Sequence, residues 1–204
     1  MTSRDNRPLL VLSELAFTGL LASTFEVANC ETNGFVIGSV TKGGSVYLAE
    51  AVQPYQAVKR SRKATSSCFA ARKRAIGAVL EMEGGMIGEF HSHVHDLGDK
   101  FFSELSEEDI TYVRETLKGE YPPGRETHME IVVSVQRQNR SVSSVSVTEG
   151  ATSVYGDIPI PFRNTTRTYH YNVSAWVISK VPHPPKSKYW LSDVVRMRVS
   201  ADID

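Results

Sequence analysis

Cysteine is scarce in this chain: Cys30 and Cys68 are the only two in 204 residues. Two thiols cannot build the disulfide framework of a small secreted scaffold, and their separation excludes a CxxC ligand pair. Net charge is missing altogether, because 23 Lys+Arg face 23 Asp+Glu. No global field therefore draws the protein to nucleic acid or to an anionic membrane, and any recognition by charge has to be local. Long apolar runs are absent as well. LLVLSELAFTGLLA, after Arg4 and Arg7, has the outline of a secretory signal, but Glu14 interrupts it and Asp5 sits among the early basic residues. Nothing reaches the roughly 18 apolar residues of a membrane span. The expectation is a soluble, cytoplasmic protein. HExxH and PCxxC are also lacking, which removes zincin and zinc-deaminase chemistry.

What is present is enough chain for one domain with a sizeable core. Ser13 reads as the N-cap of a helix to about Asn29, with Phe17, Leu20, Leu21 and Phe25 on or near one face. GFVIGSVTKGGSVYLAEAV reads as two strands around Gly43-Gly44, and the spacing of Cys68, Ala71, Ala75, Val79 and Met82 predicts a helix over 64–83. MIGEFHSH is the next strand, VHDLGDKFFSEL a loop, and SEEDITYVRETLKG a helix stopped at Gly119. MEIVVSV, SVSSVSV, TYHYNVSAWVIS and VVRMRVS read as further strands. Residues 1–181 are expected to form the domain, and 182–204, after the rigid PHPP spacer, an extension packed on it. Strands mixed with two or three long helices, not strictly alternating, predict an α+β or α-β-α layered domain.

Chemistry concentrates in GEFHSHVHD, residues 88–96. Residues two apart on a strand point the same way, so His91 and His93 present two imidazoles on one side. That suits zinc, which takes imidazole and carboxylate and, at a catalytic site, keeps one position for water. Asp109, in the first turn of the helix that Ser106 begins, is the candidate third ligand. The plainer meaning of SEED is a capping box, Ser followed three residues later by Asp. A base must lie near the metal without binding it. Glu31 is the candidate, just ahead of a strand opening with Gly34, where a missing side chain lets backbones approach.

ETNGFVIG, GEFHSH and SEED, in that order over roughly residues 9–136, together resemble the JAMM (MPN+) family of zinc metallopeptidases. The resemblance implies an MPN/JAB1-like, cytidine deaminase-like mixed sheet flanked by helices. It also implies one Zn2+ per chain on His91, His93 and Asp109, with Glu31 as base and Ser106 steadying the oxyanion. The implied substrate is ubiquitin or a ubiquitin-like protein, or its conjugates, cut at the amide after its C-terminus. Two departures stand out: Val94 replaces the family's usual proline, and twelve residues, 94–105, separate the second histidine from the serine where seven are usual. The insert brings His95, Asp96 and Asp99 beside the site. KRSRK at 59–63, with Arg72, Lys73 and Arg74, reads as a solvated basic face or as a guide for an acidic partner.

Other readings stay open. Processing of a small sulfur-carrier protein uses the same chemistry, and a non-catalytic MPN-like scaffold uses the same domain. HSHVHD resembles the HxHxDH of metallo-β-lactamase-like hydrolases, but Asp96 follows His95 instead of preceding it. His128, His170 and His183 are scattered and read as structural or exposed.

Overall fold

A computed structural model describes residues 5–27, 30–56, 58–60, 65–67, 74, 77–78, 85–95, 97, 99–101, 103–119, 127–179 and 194–203. The strands are β1 (Leu9–Ser13), β2 (Asn33–Val40), β3 (Val46–Pro54), β4 (Val58–Arg60), β5 (Thr65–Ser67), β6 (Met86–His95), β7 (Thr127–Gln138), β8 (Thr148–Glu149), β9 (Ser153–Phe162), β10 (Thr165–Ser179), β11 (Val194–Arg196) and β12 (Arg198–Asp202). Two helices described end to end accompany them, α1 (Glu14–Glu26) and α2 (Glu107–Gly119). Ser13 caps α1 as expected, its hydroxyl accepting from the Ala16 N–H at 3.1 Å. Within the expected helix over 64–83, Thr65–Ser67 form strand β5 instead, Arg74, Gly77 and Ala78 are helical, and the rest lies outside the described residues.

The layered α+β arrangement of an MPN-like domain, expected from the sequence, is not what the chain adopts. Strands dominate, and ten of them form one mixed sheet in the order β12-β1-β3-β2-β6-β7-β10-β9-β8, with β11 also on β10. That sheet rolls toward closure. β11 pairs antiparallel with Trp176–Ile178 of β10, the Met197 N–H then donates to the Ala175 carbonyl at 2.9 Å, and β12 runs parallel to β1. Glu149, beside the other sheet end, accepts from Ser200 Oγ at 2.9 Å and the Ala201 N–H at 2.8 Å. A twisted sheet whose ends are bridged in this way is nearly a barrel. Sequence patterning misses this because closure depends on pairing between distant segments, β12 with β1 at opposite ends of the chain.

One local expectation also fails, and one strand went unread. Residues 141–147, SVSSVSV, form no strand, and Val145 and Val147 are exposed. SVYGDIPIPF, which its prolines disguise, is β9. The Asp157 N–H points outward to Ser146 Oγ at 2.9 Å. Pro159 and Pro161 follow at the same parity, so their missing donors fall on the open edge, where a ladder loses nothing.

The central strands have two unlike faces. Phe90 of β6, Met129, Ile131, Val133 and Val135 of β7, and Tyr171, Val173, Ala175 and Val177 of β10 point into the main core, against Phe17, Leu20 and Leu21 of α1. On the opposite face the ladder sets Glu89 beside Glu130, His91 beside Val132 and His93 beside Ser134. Helix α2 covers that face through a small cluster of Val113, Leu117 and Ile178.

Candidate metal centre

Strand β6 carries Glu89, His91, His93 and His95 at every second residue, and α2 lowers its N-terminal turn onto the middle of that row. His91 Nε2 and His93 Nε2 stand 3.1 Å apart. Asp109 completes the triangle, with Oδ1 3.6 Å from His91 Nε2 and Oδ2 3.6 Å from His93 Nε2. The capping box forms as well: the Ser106 N–H and hydroxyl donate to Asp109 Oδ2 at 2.9 and 2.7 Å, and the Asp109 N–H donates back to Ser106 Oγ at 3.1 Å. Cap and candidate ligand are therefore one arrangement, in which the helix start aims the carboxylate.

Glu31 reaches the same place through sheet register. β2 is antiparallel to β6 with Asn33 opposite His91, so continuing the register sets Glu31 toward His93. The Thr32 N–H donates to Ser92 Oγ and the Ser92 N–H to the Thr32 carbonyl, both at 2.9 Å, which pins the backbone just after Glu31 against the histidine strand. Gly34 is needed for this approach, since a Cβ there would overlap the Gln53 carbonyl oxygen and lie 2.5 Å from the Phe90 ring. Glu31, Glu89, His91, Asp109 and Glu130 line one cavity of about 210 Å³. All five residues expected from the sequence, Glu31, His91, His93, Ser106 and Asp109, thus meet at one end of the sheet.

Among the described residues, the donor set with His91 and His93 takes Asp109 and no residue of the insert. β6 runs on through Val94 and His95, and the His95 ring packs on Phe101 with centroids 5.4 Å apart. Asp99 is exposed and its carbonyl accepts from Gln136 Nε2 at 2.6 Å, while Asp96 lies outside the described residues. Lys59 and Arg60 of the basic stretch belong to β4; Ser61, Arg62 and Lys63 lie outside the described residues.

Beneath the triangle is a layer of chemistry that sequence reading missed. His91 Nδ1 is 2.7 Å from Glu130 Oε1, and Glu130 Oε2 is 2.9 Å from His128 Nε2. His128 Nε2 is also 3.9 Å from Glu89 Oε2, and the Tyr55 hydroxyl donates to Glu89 Oε1 at 2.5 Å. His128, assigned no role from its scattered position, is 2% exposed and central to this group. The signal was available: H-x-E in β7 has the period of E-x-H-x-H in β6, and two neighbouring strands with that pattern share a face.

The protonation pattern follows from crowding. Burial opposes charge on His91, but hydrogen bonds to Asp109 and Glu130 override it and hold the ring at about 10. Burial and the neighbouring His91 charge push His93 down to about 4. Burial would raise Asp109 and Glu130, yet both are held below the usual carboxylate range, Asp109 by His91 and Ser106, Glu130 by His128 and His91. Glu31 goes the other way: burial raises it to about 7, opposed by the attraction of His91 and aided by the repulsion of Asp109. The site therefore holds carboxylates of two kinds, one fully ionised and one near neutrality, a division that suits ligand and base respectively.

No family model matches this chain, and no curated protein matches it. Among solved structures it is similar to protein DSY2949 from Desulfitobacterium hafniense, a structural-genomics target solved in solution. The two are 13% identical with a TM-score of 0.53, over 96% of this chain and 94% of that one. At this identity the likeness is one of fold. Among the described residues, no helix is long and apolar enough to cross a membrane.

Proposed function

We propose that this chain is a zinc-dependent metallopeptidase that hydrolyses the amide bond after the C-terminus of ubiquitin or a ubiquitin-like protein. One observation carries the reading: the Nε2 atoms of His91 and His93 stand 3.1 Å apart, and Asp109 sets one carboxylate oxygen 3.6 Å from each, Oδ1 facing His91 and Oδ2 facing His93. Donors about 2.0–2.1 Å from a tetrahedral zinc stand about 3.4 Å from one another. The spacings between the imidazole nitrogens and the facing carboxylate oxygens are of that size, and two imidazoles with one carboxylate are a zinc donor set. Five carboxylates on the cavity wall, Glu31, Glu89, Glu108, Asp109 and Glu130, give it a field that favours a cation. The order of ETNGFVIG, GEFHSH and SEED, which resembles the JAMM family, supports the substrate class. Fold likeness plays no part, because sites are grafted onto many folds.

Bound zinc supplies a Lewis acid that lowers the pKa of water and polarises a carbonyl. The chain's own residues do the rest. Glu31 lines the cavity without belonging to the donor triangle, so it is placed to accept a proton from water and return it to the leaving amine. A carboxyl near 7 is matched to that exchange at neutral pH. Ser106 has its hydroxyl committed to Asp109. It holds the ligand first, and reaches a developing oxyanion only by rotating off that carboxylate.

Zinc analysis together with cleavage of a ubiquitin-like fusion protein tests the proposal. Native protein is expected to hold one zinc per chain and cut, and H91A to lose both properties. E31Q is expected to keep zinc and lose about 10²–10⁴-fold in turnover. Undiminished cleavage by E31Q would remove the base. Native protein that holds no zinc would point to the non-catalytic scaffold, and two zinc ions per chain to a dinuclear hydrolase.

A further inference from the structure

We infer that Glu130 is the positioning residue of the metal centre, fixing His91 with its proton on Nδ1 and its Nε2 lone pair toward the cavity, and that His128, Glu89 and Tyr55 form the buried relay that keeps Glu130 in place. This deepens the metallopeptidase reading and rests on it for its purpose, though the contacts are separate from the metal ligands' own triangle. A histidine can bind a cation through only one nitrogen at a time, and what the other nitrogen meets decides which one is free. For His91 the other nitrogen meets a carboxylate oxygen at 2.7 Å, a distance at which Nδ1 donates.

Glu130 has little freedom to do otherwise. It is 4% exposed, and a buried carboxylate needs donors on its oxygens. His91 serves Oε1, and His128 serves Oε2 at 2.9 Å. Beside it in the ladder lies a second buried carboxylate, Glu89, whose Oε1 accepts from the Tyr55 hydroxyl at 2.5 Å. His128 sits between the two acids, 3.9 Å from Glu89 Oε2. The chain of contacts Tyr55, Glu89, His128, Glu130, His91 thus runs from beside Phe35, whose ring lies 5.6 Å from that of Tyr55, to the cation site. Glu89, His128 and Glu130 also lie close enough together to hold a cation themselves. The relay is favoured because Tyr55 and His91 already engage an oxygen of each acid, and His128 engages the second oxygen of Glu130.

Two readouts decide the matter: long-range ¹H–¹⁵N spectra of the histidines, and zinc affinity in competition with a chromophoric chelator. Native protein is expected to show His91 protonated at Nδ1, with a strongly downfield proton. E130Q, close to isosteric, is expected to lose that signal and about 10–100-fold in zinc affinity. H128Q should shift both in the same direction by less, and H170Q, on the same face but outside the relay, should shift neither. Native-like zinc affinity in E130Q, or a bare Nδ1 on His91 in native protein, overturns the assignment. Two zinc ions per chain, one of them lost in H128Q, overturns it in favour of a second metal site. If native protein binds no zinc, the peptidase reading fails, while the downfield Nδ1 proton that His91 shares with Glu130 still decides the relay; failure of E130Q to fold leaves that native signal intact.

Discussion

The two faces of β6, β7 and β10 share a backbone and differ in where they bury charge. Toward α1 every inward residue from Met129 to Val177 is aliphatic or aromatic, and Phe90, Ile131, Val133 and Val173 are fully buried. Toward α2 the same strands bury Glu89, His128, Glu130, Ser134 and Ser174. The first face stabilises the fold by removing apolar surface from water. The second opposes folding unless each charge finds a partner. A protein keeps such a face for what it does, and the difference shows where stability and chemistry have been separated across one sheet about a side chain thick.

That contrast is open to direct attack, beginning with the largest effect. Phe90→Ala, on the apolar face, should cost about 3–5 kcal/mol in urea unfolding. A loss below about 1 kcal/mol would mean that the main core lies elsewhere. Tyr55→Phe, on the polar side, removes the hydroxyl that Glu89 accepts from and should cost about 1–3 kcal/mol. A neutral or stabilising result would detach Tyr55 and Glu89 from the relay. Ser106→Ala should cost about 1 kcal/mol through the lost cap and weaken zinc binding as well, because the same hydroxyl orients Asp109. Lost stability with unchanged zinc affinity would separate cap from ligand.

The smallest effect concerns pH. Glu31 titrates at about 7 in the folded chain against 4.5 for a free glutamate, so the folded state holds the proton more tightly than the unfolded one. The stability tied to that proton is fully present below pH 4.5 and is lost as pH rises through 7. Glu31→Gln, uncharged throughout, should melt higher than metal-free native protein at pH 8, by about 2 °C once solvent screening is allowed for. The difference should vanish below pH 4.5. An equal gap at both pH values would mean that Glu31 is not the titrating group.

Much of the site was legible before the fold was. HxH on a strand and SxxD at a helix start each dictate a local geometry that survives folding: a period of two, and a reciprocal cap. Glu31 was legible only through its place in ETNGFVIG, since nothing local sends a glutamate toward a histidine 60 residues away. Glu89, Glu130 and His128 went unread because their meaning arises from the parallel pairing of β6 with β7, a contact that no window along the chain contains. The fold misled for similar reasons. Pro159 and Pro161 argue against a strand unless one knows that their nitrogens face an open edge, and SVSSVSV alternates like a strand but leaves Val145 and Val147 exposed.

Sequence alone determined which side-chain types were on offer and how the residues of HxH and SxxD sit on their own elements, because side-chain type and backbone period are local properties. The tertiary structure decided the rest: that the sheet rolls nearly shut instead of lying between helical layers, and that a carboxylate from β7 stands behind a histidine of β6. Register, closure and the pairing of buried charges are settled by contacts between distant segments, and their energies exist only once those segments have met.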